Sequence, residues 1–199
     1  MALEAREALG LSRVDLMPAQ VPPHKGRAGL LDYATRLALL REAVDGVGGL
    51  GVSDLEGNMP TPSYSYDTLT RLGELHPGVN HVFVLGSTDF LTLPEWHRGL
   101  ELPLLSDMVV VDRLGLGLSA VDRFLDTYWK WEAESPTLRR IDGGKRIAFV
   151  TMPRLDISAS MVRDKFCSGL EMSGLVPEPV RRKMRSDPGL FRDCWNPQP

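Results

Sequence analysis

Two stretches of the chain are apolar almost without a break, "HVFVLG" from His81 and "MVVVDR" from Met108, and "KRIAFVTM" from Lys145 is nearly so. Unbroken β-branched runs of this length predict strands buried on both faces, the kind found in parallel sheets. "RVDLMPA" and "VGGLGVSDLE" predict two further short strands, the second weakened by its glycines and placed near an edge. Elsewhere the spacing turns helical. "MALEAREALG" is rich in helix formers, with Gly10 set to end the helix. From Ala28 to Val44, Leu30, Leu31, Ala34, Leu37, Ala38 and Arg41 draw one helix face. "TPSYSYDTLTRLGELHPG" begins as a loop, becomes a helix and stops at Pro77–Gly78, and "LPEWHRGLELPLLSD" predicts short helical pieces around prolines. Val162, Phe166 and Leu170 recur every fourth residue and predict a helix after Ser158, and "PEPVRRKMRSDPGLF" predicts a last one. The section Leu114–Gly144 reads least clearly, as a surface helix or an insertion.

Strands that alternate with helices predict an α/β fold built on a parallel sheet, whose ligands bind at the carboxyl ends of the strands. The loops that follow the strands are "PPHKG", "GSTD", "DR" after "MVVV", and "DISAS". They gather a histidine, a lysine, an arginine, three aspartates and hydroxyls. In "RLDISASMVRDKF", Ser158 and Ser160 fall at a helix entrance, where amides lack intrahelical partners and the dipole is positive. One serine suffices as an N-cap. A second hydroxyl and Arg163 on the first turn also describe an anion site, most often for phosphate.

Composition narrows this picture. A chain of 199 residues, 43% hydrophobic and 25% charged, suits one globular domain spanning residues 1–199. Its net charge of −3 argues against a broad nucleic-acid surface but leaves room for a local phosphate pocket. Cys167 and Cys194 lack zinc-ligand spacing and are too few for a disulfide scaffold, so a cytoplasmic protein with no membrane span is expected.

At this point the residues resemble a known family, the bacterial nicotinate-nucleotide adenylyltransferases. "LMPAQVPPHK" is similar to that family's segment after its second strand, and "PSYSYDTL" to its "PSYTxDTL" element. "FVLGSTDFLTLPEW" resembles its glycine–aspartate–tryptophan segment, and "MVVVDRLG" its next strand with arginine. "DISASMVR" is similar to its "ISSTxIR" signature and "GLVPEPV" to its "LVPxxV" ending. Six motifs in the right order, from Met1 to about Phe191, make the signal specific.

The resemblance implies a Rossmann-like parallel sheet flanked by helices, of nucleotidyltransferase type. It implies transfer of the adenylyl group of ATP to nicotinate mononucleotide, with pyrophosphate released and magnesium accompanying ATP without an assigned protein ligand. ATP phosphates would meet Ser158, Ser160, His24 and Lys25, and Arg163 would offset charge on the leaving group. Lys25 taken alone reads as a solvated loop lysine. Nicotinate mononucleotide would meet Ser65, Thr88, Asp89, Trp96 and Arg113. Trp96 suits ring stacking or hinge packing. Ser65 stands for a family threonine, and Thr88 stands where the ribose-binding aspartate usually lies, with Asp89 one residue later. Arg113 would face substrate or pair with a carboxylate. A rival acceptor such as phosphopantetheine is disfavoured by "PSYSYDTL" and Trp96.

The family's opening strand, glycine-bearing loop and H-x-G-H motif have no counterpart, since His24, His76, His81 and His97 include no pair at that spacing. The domain is therefore expected to be N-terminally incomplete, with Met1 an internal methionine of a longer frame or the chain a silent nucleotide-binding shell or scaffold. The retained substrate-loop residues favour the first. A parallel sheet lacking that strand is expected to carry a gap or to split, leaving the chain marginally stable and inactive.

Overall fold

The computed structural model describes residues 1–23 and 29–195. In chain order the first elements are α1 (Ala2–Leu9), β1 (Val14–Leu16), α2 (Tyr33–Val44), β2 (Leu50–Val52), α3 (Ser65–Leu75) and β3 (Val82–Gly86). There follow α4 (Ser87–Leu91), α5 (Leu102–Leu105), β4 (Asp107–Asp112), α6 (Leu118–Tyr128), β5 (Trp131–Ser135), β6 (Leu138–Ile141) and β7 (Arg146–Thr151). The chain ends with α7 (Ala159–Cys167), α8 (Glu178–Ser186) and α9 (Pro188–Trp195), and short 3₁₀ turns occupy Leu55–Asn58, Leu93–Glu95 and Gly99–Glu101.

Two compact units result, one of Met1–Ser12 with Tyr64–Leu155 and the other of Arg13–Ser63 with Asp156–Pro199. The strands divide likewise into a five-stranded sheet, β3-β4-β7-β6-β5, and a two-stranded parallel sheet, β1-β2.

In the first unit, β4 pairs in parallel with β3 on one side and β7 on the other. Its residues alternate between two cores, as a period of two requires. Met108 and Val110 join Leu85, Phe90, Leu93, Leu125 and Phe149. Val109 and Val111 join Val150 and Ala5 of α1. A fully buried Val, Leu, Met or Phe among them stabilises the unit by roughly 1.5–3 kcal/mol relative to exposure.

The section Leu114–Gly144 is a helix followed by a hairpin. Val121 and Leu125 of α6 are buried, which matches the expected helix. Beyond it, β5 and β6 pair antiparallel and β6 adds antiparallel to β7, so the sheet is mixed. The segment reads as polar because β5 is an outer strand, exposed along most of its length. Arg139 of β6 is buried nonetheless. It donates to both carboxylate oxygens of Asp122 (2.8 and 3.1 Å) and to the carbonyl of Ser135 (2.9 Å), with Trp131 packed beneath its guanidinium.

The second unit has its own core of Leu31, Phe166, Met172, Met184 and Phe191. Here α2 begins at Tyr33, five residues later than the periodicity predicts. Asp32 caps it, accepting from the Thr35 amide (2.9 Å) and hydroxyl (2.6 Å), and Leu31 packs into the core from the segment before the helix. Ala28 lies outside the described residues. The expected last helix is two, α8 and α9, broken where Pro188 disfavours helical backbone at Asp187.

Ahead of α8, Glu171 ties this region together. It accepts from the amides of Met172 and Ser173 and the Ser173 hydroxyl (all 2.9 Å), and from Arg181 and Arg185 (both 2.8 Å). The Ser173 hydroxyl, then the Met172 amide, hold the carboxyl down at about 2 against an ordinary 4.5. A depressed folded pKa stabilises fully above the unfolded value and is lost as pH falls through the folded one. Glu171→Gln should therefore melt below the wild type at neutral pH, with the gap closing between pH 4.5 and about 2. Thermal melts across that range check this, and a gap that ignores pH contradicts it.

Candidate functional site

The carboxyl ends of β3 and β4 lie side by side, with Gly86 in register with Val111. Ser87, Thr88 and Asp89 form the first turn of α4 directly after β3. A methyl group on Gly86 would lie 3.2 Å from Asp89 Oδ2 and 3.8 Å from Thr88 Oγ1. Both exposed side chains therefore turn back over the end of β3 and share one space. A one-residue shift along the loop leaves a carboxylate there. Next to them Asp112 ends β4 and is 4% exposed. Its Oδ1 accepts from the Ser87 hydroxyl (3.0 Å) and the amides of Leu114, Gly115 and Leu116 (3.1–3.2 Å), and its Oδ2 from the Gly117 amide (2.8 Å). Burial alone would raise its pKa, but the amides of Gly117 and Leu116 and the Ser87 hydroxyl outweigh it and leave the carboxyl below its ordinary value. Arg113 follows, exposed, with no carboxylate partner among the described residues.

A second group lies on the same unit. Ser65 is the first residue of α3, and the Tyr64 ring before it stacks on His97 with centroids 4.3 Å apart. Trp96 is half-buried, packs against the larger core and donates from Nε1 to Thr92 Oγ1 (3.3 Å). Packing is thus part of its role. Arg98 adopts the left-handed region (φ 53°), lies 3.6 Å from the Tyr66 ring centroid and pairs with Glu101 through two bonds. Gly99 permits the turn, because a Cβ there would fall 2.0 Å from the Leu93 carbonyl oxygen and 2.8 Å from Trp96 Cβ.

The entrance to α7 belongs to the other unit. Ser158 is the N-cap, its Oγ accepting from the Met161 amide at 3.1 Å. The capping role foreseen for it is therefore real, while its own O–H remains a donor. Helix geometry leaves the amides of Ala159 and Ser160 without intrahelical acceptors. Arg163 donates to Ser160 Oγ (3.3 Å) and, at a long 3.5 Å, to the Gly29 carbonyl. No carboxylate neutralises it among the described residues. Ser158, Ser160 and Arg163 are thereby brought together as donors. His24 and Lys25 lie outside the described residues. Among the described residues no three His, Cys, Asp or Glu side chains gather as a metal site, and no helix is long and apolar enough to cross a membrane.

Sequence reasoning gave Asp112 no role beyond its place in the loop "DR", and missed the Tyr64–His97 and Arg98–Tyr66 contacts. An acid closing the run "MVVV" was the available signal for the first.

The fold is of nucleotidyltransferase type. It superposes on Plasmodium falciparum nicotinic acid mononucleotide adenylyltransferase complexed with NaAD, with a TM-score of 0.67 over 90% of this chain and 82% of that one, at 16% identity. No protein-family model matches the chain. Relatives, however, cover nearly its whole length. A protein of Pelobacter propionicus named "probable nicotinate-nucleotide adenylyltransferase" is 33% identical, over 98% of this chain and 91% of the relative. One of Chromohalobacter salexigens with the same name is 36% identical, over 92% of this chain and 84% of the relative. The chain belongs to the nicotinate-nucleotide adenylyltransferase family.

The tight turn below Trp96 yields a direct test of the geometry. Gly99→Ala should cost about 1–3 kcal/mol of stability, the usual range for overpacking a closed site. Denaturant unfolding measures this, and an unchanged midpoint contradicts the close approach to Leu93.

Proposed function

We propose that the protein transfers the adenylyl group of ATP to nicotinate mononucleotide, forming deamido-NAD and pyrophosphate in NAD biosynthesis. Family membership across nearly the whole chain is the observation that carries this reading. The residue chemistry supports it. The acceptor brings its own nucleophile: a phosphate oxygen bonds to the α-phosphorus of ATP, and the bond from that phosphorus to the bridging oxygen breaks, releasing pyrophosphate. The protein then has only to position the reactants and stabilise charge. In this reading the amides of Ala159 and Ser160, the two serine hydroxyls and Arg163 receive ATP phosphates, with Arg163 facing charge that grows on the leaving group. His24 and Lys25 join them. Thr88 and Asp89 accept from sugar hydroxyls, Arg113 meets acceptor phosphate, and Ser65 and Trp96 meet the pyridine carboxylate and ring. Magnesium accompanies ATP, held by phosphate oxygens and water. The reaction is assigned to the cytoplasm, which suits the free thiols Cys167 and Cys194. The silent binder draws only on the absent H-x-G-H spacing and finds no support among the relatives, which are named as adenylyltransferases.

Two substitutions test the assignment. In a catalytically competent protein, Arg163→Ala should lower kcat by roughly 10²–10³, the usual effect of losing one charge-stabilising donor, with KM for nicotinate mononucleotide little changed. Unchanged turnover would return Arg163 to an ordinary helix surface. Trp96→Ala should raise KM for nicotinate mononucleotide and leave KM for ATP nearly alone. Lost thermal stability with acceptor KM intact would make Trp96 a packing residue only.

A further inference from the structure

The buried carboxylate of Asp112 is used by none of the steps above, yet it collects more donors than a turn requires. Four consecutive amides, Leu114 to Gly117, converge on it from its own loop, and the Ser87 hydroxyl reaches it from the neighbouring one. One such amide would suffice to cap a turn. The fifth bond differs in kind, because it crosses from the loop after β4 to the first turn of α4. Ser87 is itself 1% exposed, so the link is shielded from water and cannot readily be replaced by it.

Each end of the link lies next to a candidate substrate residue. Arg113 sits between Asp112 and the nested amides, and Thr88 and Asp89 follow Ser87. The loop after β4 is exposed from Arg113 to Leu116, and the first turn of α4 exposes Thr88 and Asp89 although Phe90 sits in the core. Without the link these exposed groups would move independently. We propose that Asp112 is a positioning residue for the acceptor nucleotide: by tying the two loops together it holds Arg113 at a set distance from Thr88 and Asp89, so that a cation and the two acceptor groups meet phosphate and sugar of one ligand at once. The inference rests on the function proposed above, for the identity of that ligand only.

Amide hydrogen exchange and nucleotide binding by calorimetry test it on Asp112→Asn and on the milder Ser87→Ala, which removes only the crossing bond. Both should speed exchange in 114–117 and in 87–91. Both should weaken nicotinate mononucleotide, Asp112→Asn by between about tenfold and a hundredfold, while ATP binding stays within about twofold. Ser106→Ala, which removes the hydroxyl shared between the carbonyls of His81 and Asp107 at the other end of β4, should lower stability without this split. Faster exchange confined to 114–117, equal losses for both nucleotides, or unchanged acceptor binding would each overturn the proposal. If the wild type itself fails to bind nicotinate mononucleotide, the functional reading and the ligand named here both fall, and exchange in 87–91 still decides whether the tie exists.

Discussion

The parallel pairing of β4 with β3 and β7 is the constraint on which the first unit depends. A strand between two parallel neighbours, with a core on each face, must be apolar on both sides. Val109, Val110 and Val111 meet that demand at 0% exposure. The pairing also sets Gly86 beside Val111 and Asp112 beside Thr151, so the chain leaves the sheet at one level on three adjacent strands. Polar residues confined to those exits are therefore neighbours, although they lie far apart in sequence. Ser87, Asp112 and Arg113 owe their proximity to this register. A slip of one residue would send each strand's side chains to the opposite face.

The chemistry divides between the two units in the same way as the cores do. Thr88, Asp89, Trp96, Arg113 and Ser65 belong to the unit built on β4, and Ser158, Ser160 and Arg163 to the unit built around Phe166 and Phe191. Each set is anchored by a local device that burial or capping makes stiff. Asp112 gathers the loops after β3 and β4, and Ser158 closes the first turn of α7. An adenylyl transfer that supplies no protein nucleophile relies on such stiffness, because positioning is its main source of rate.

The strands β3, β4 and β7 were legible because burial on both faces writes an apolar run, and α7 because its cap precedes Val162 and Phe166 one turn apart. Leu170, read as the next turn, lies beyond the helix end at Cys167 and is exposed. The β5–β6 hairpin was not. An outer strand solvated along most of its length, such as "WEAES", carries no alternation to read, and Arg139 looks like a surface residue until Asp122 and Trp131 close around it. The start of α2 was misplaced because Leu31 is apolar for tertiary reasons, and periodicity cannot distinguish that from a helix face. At the site, the residue types and their order were readable, but the shared position of Thr88 and Asp89 over Gly86 depends on backbone geometry. The nest around Asp112 is made of main-chain amides, which every residue has and no sequence displays.

Isotope tracing from ATP labelled at the α-phosphate, mixed with the protein and nicotinate mononucleotide, tests the central claim most directly. The account predicts that the label appears in a dinucleotide, in step with unlabelled pyrophosphate. Label that remains in ATP, or that leaves as AMP without a dinucleotide, would contradict it.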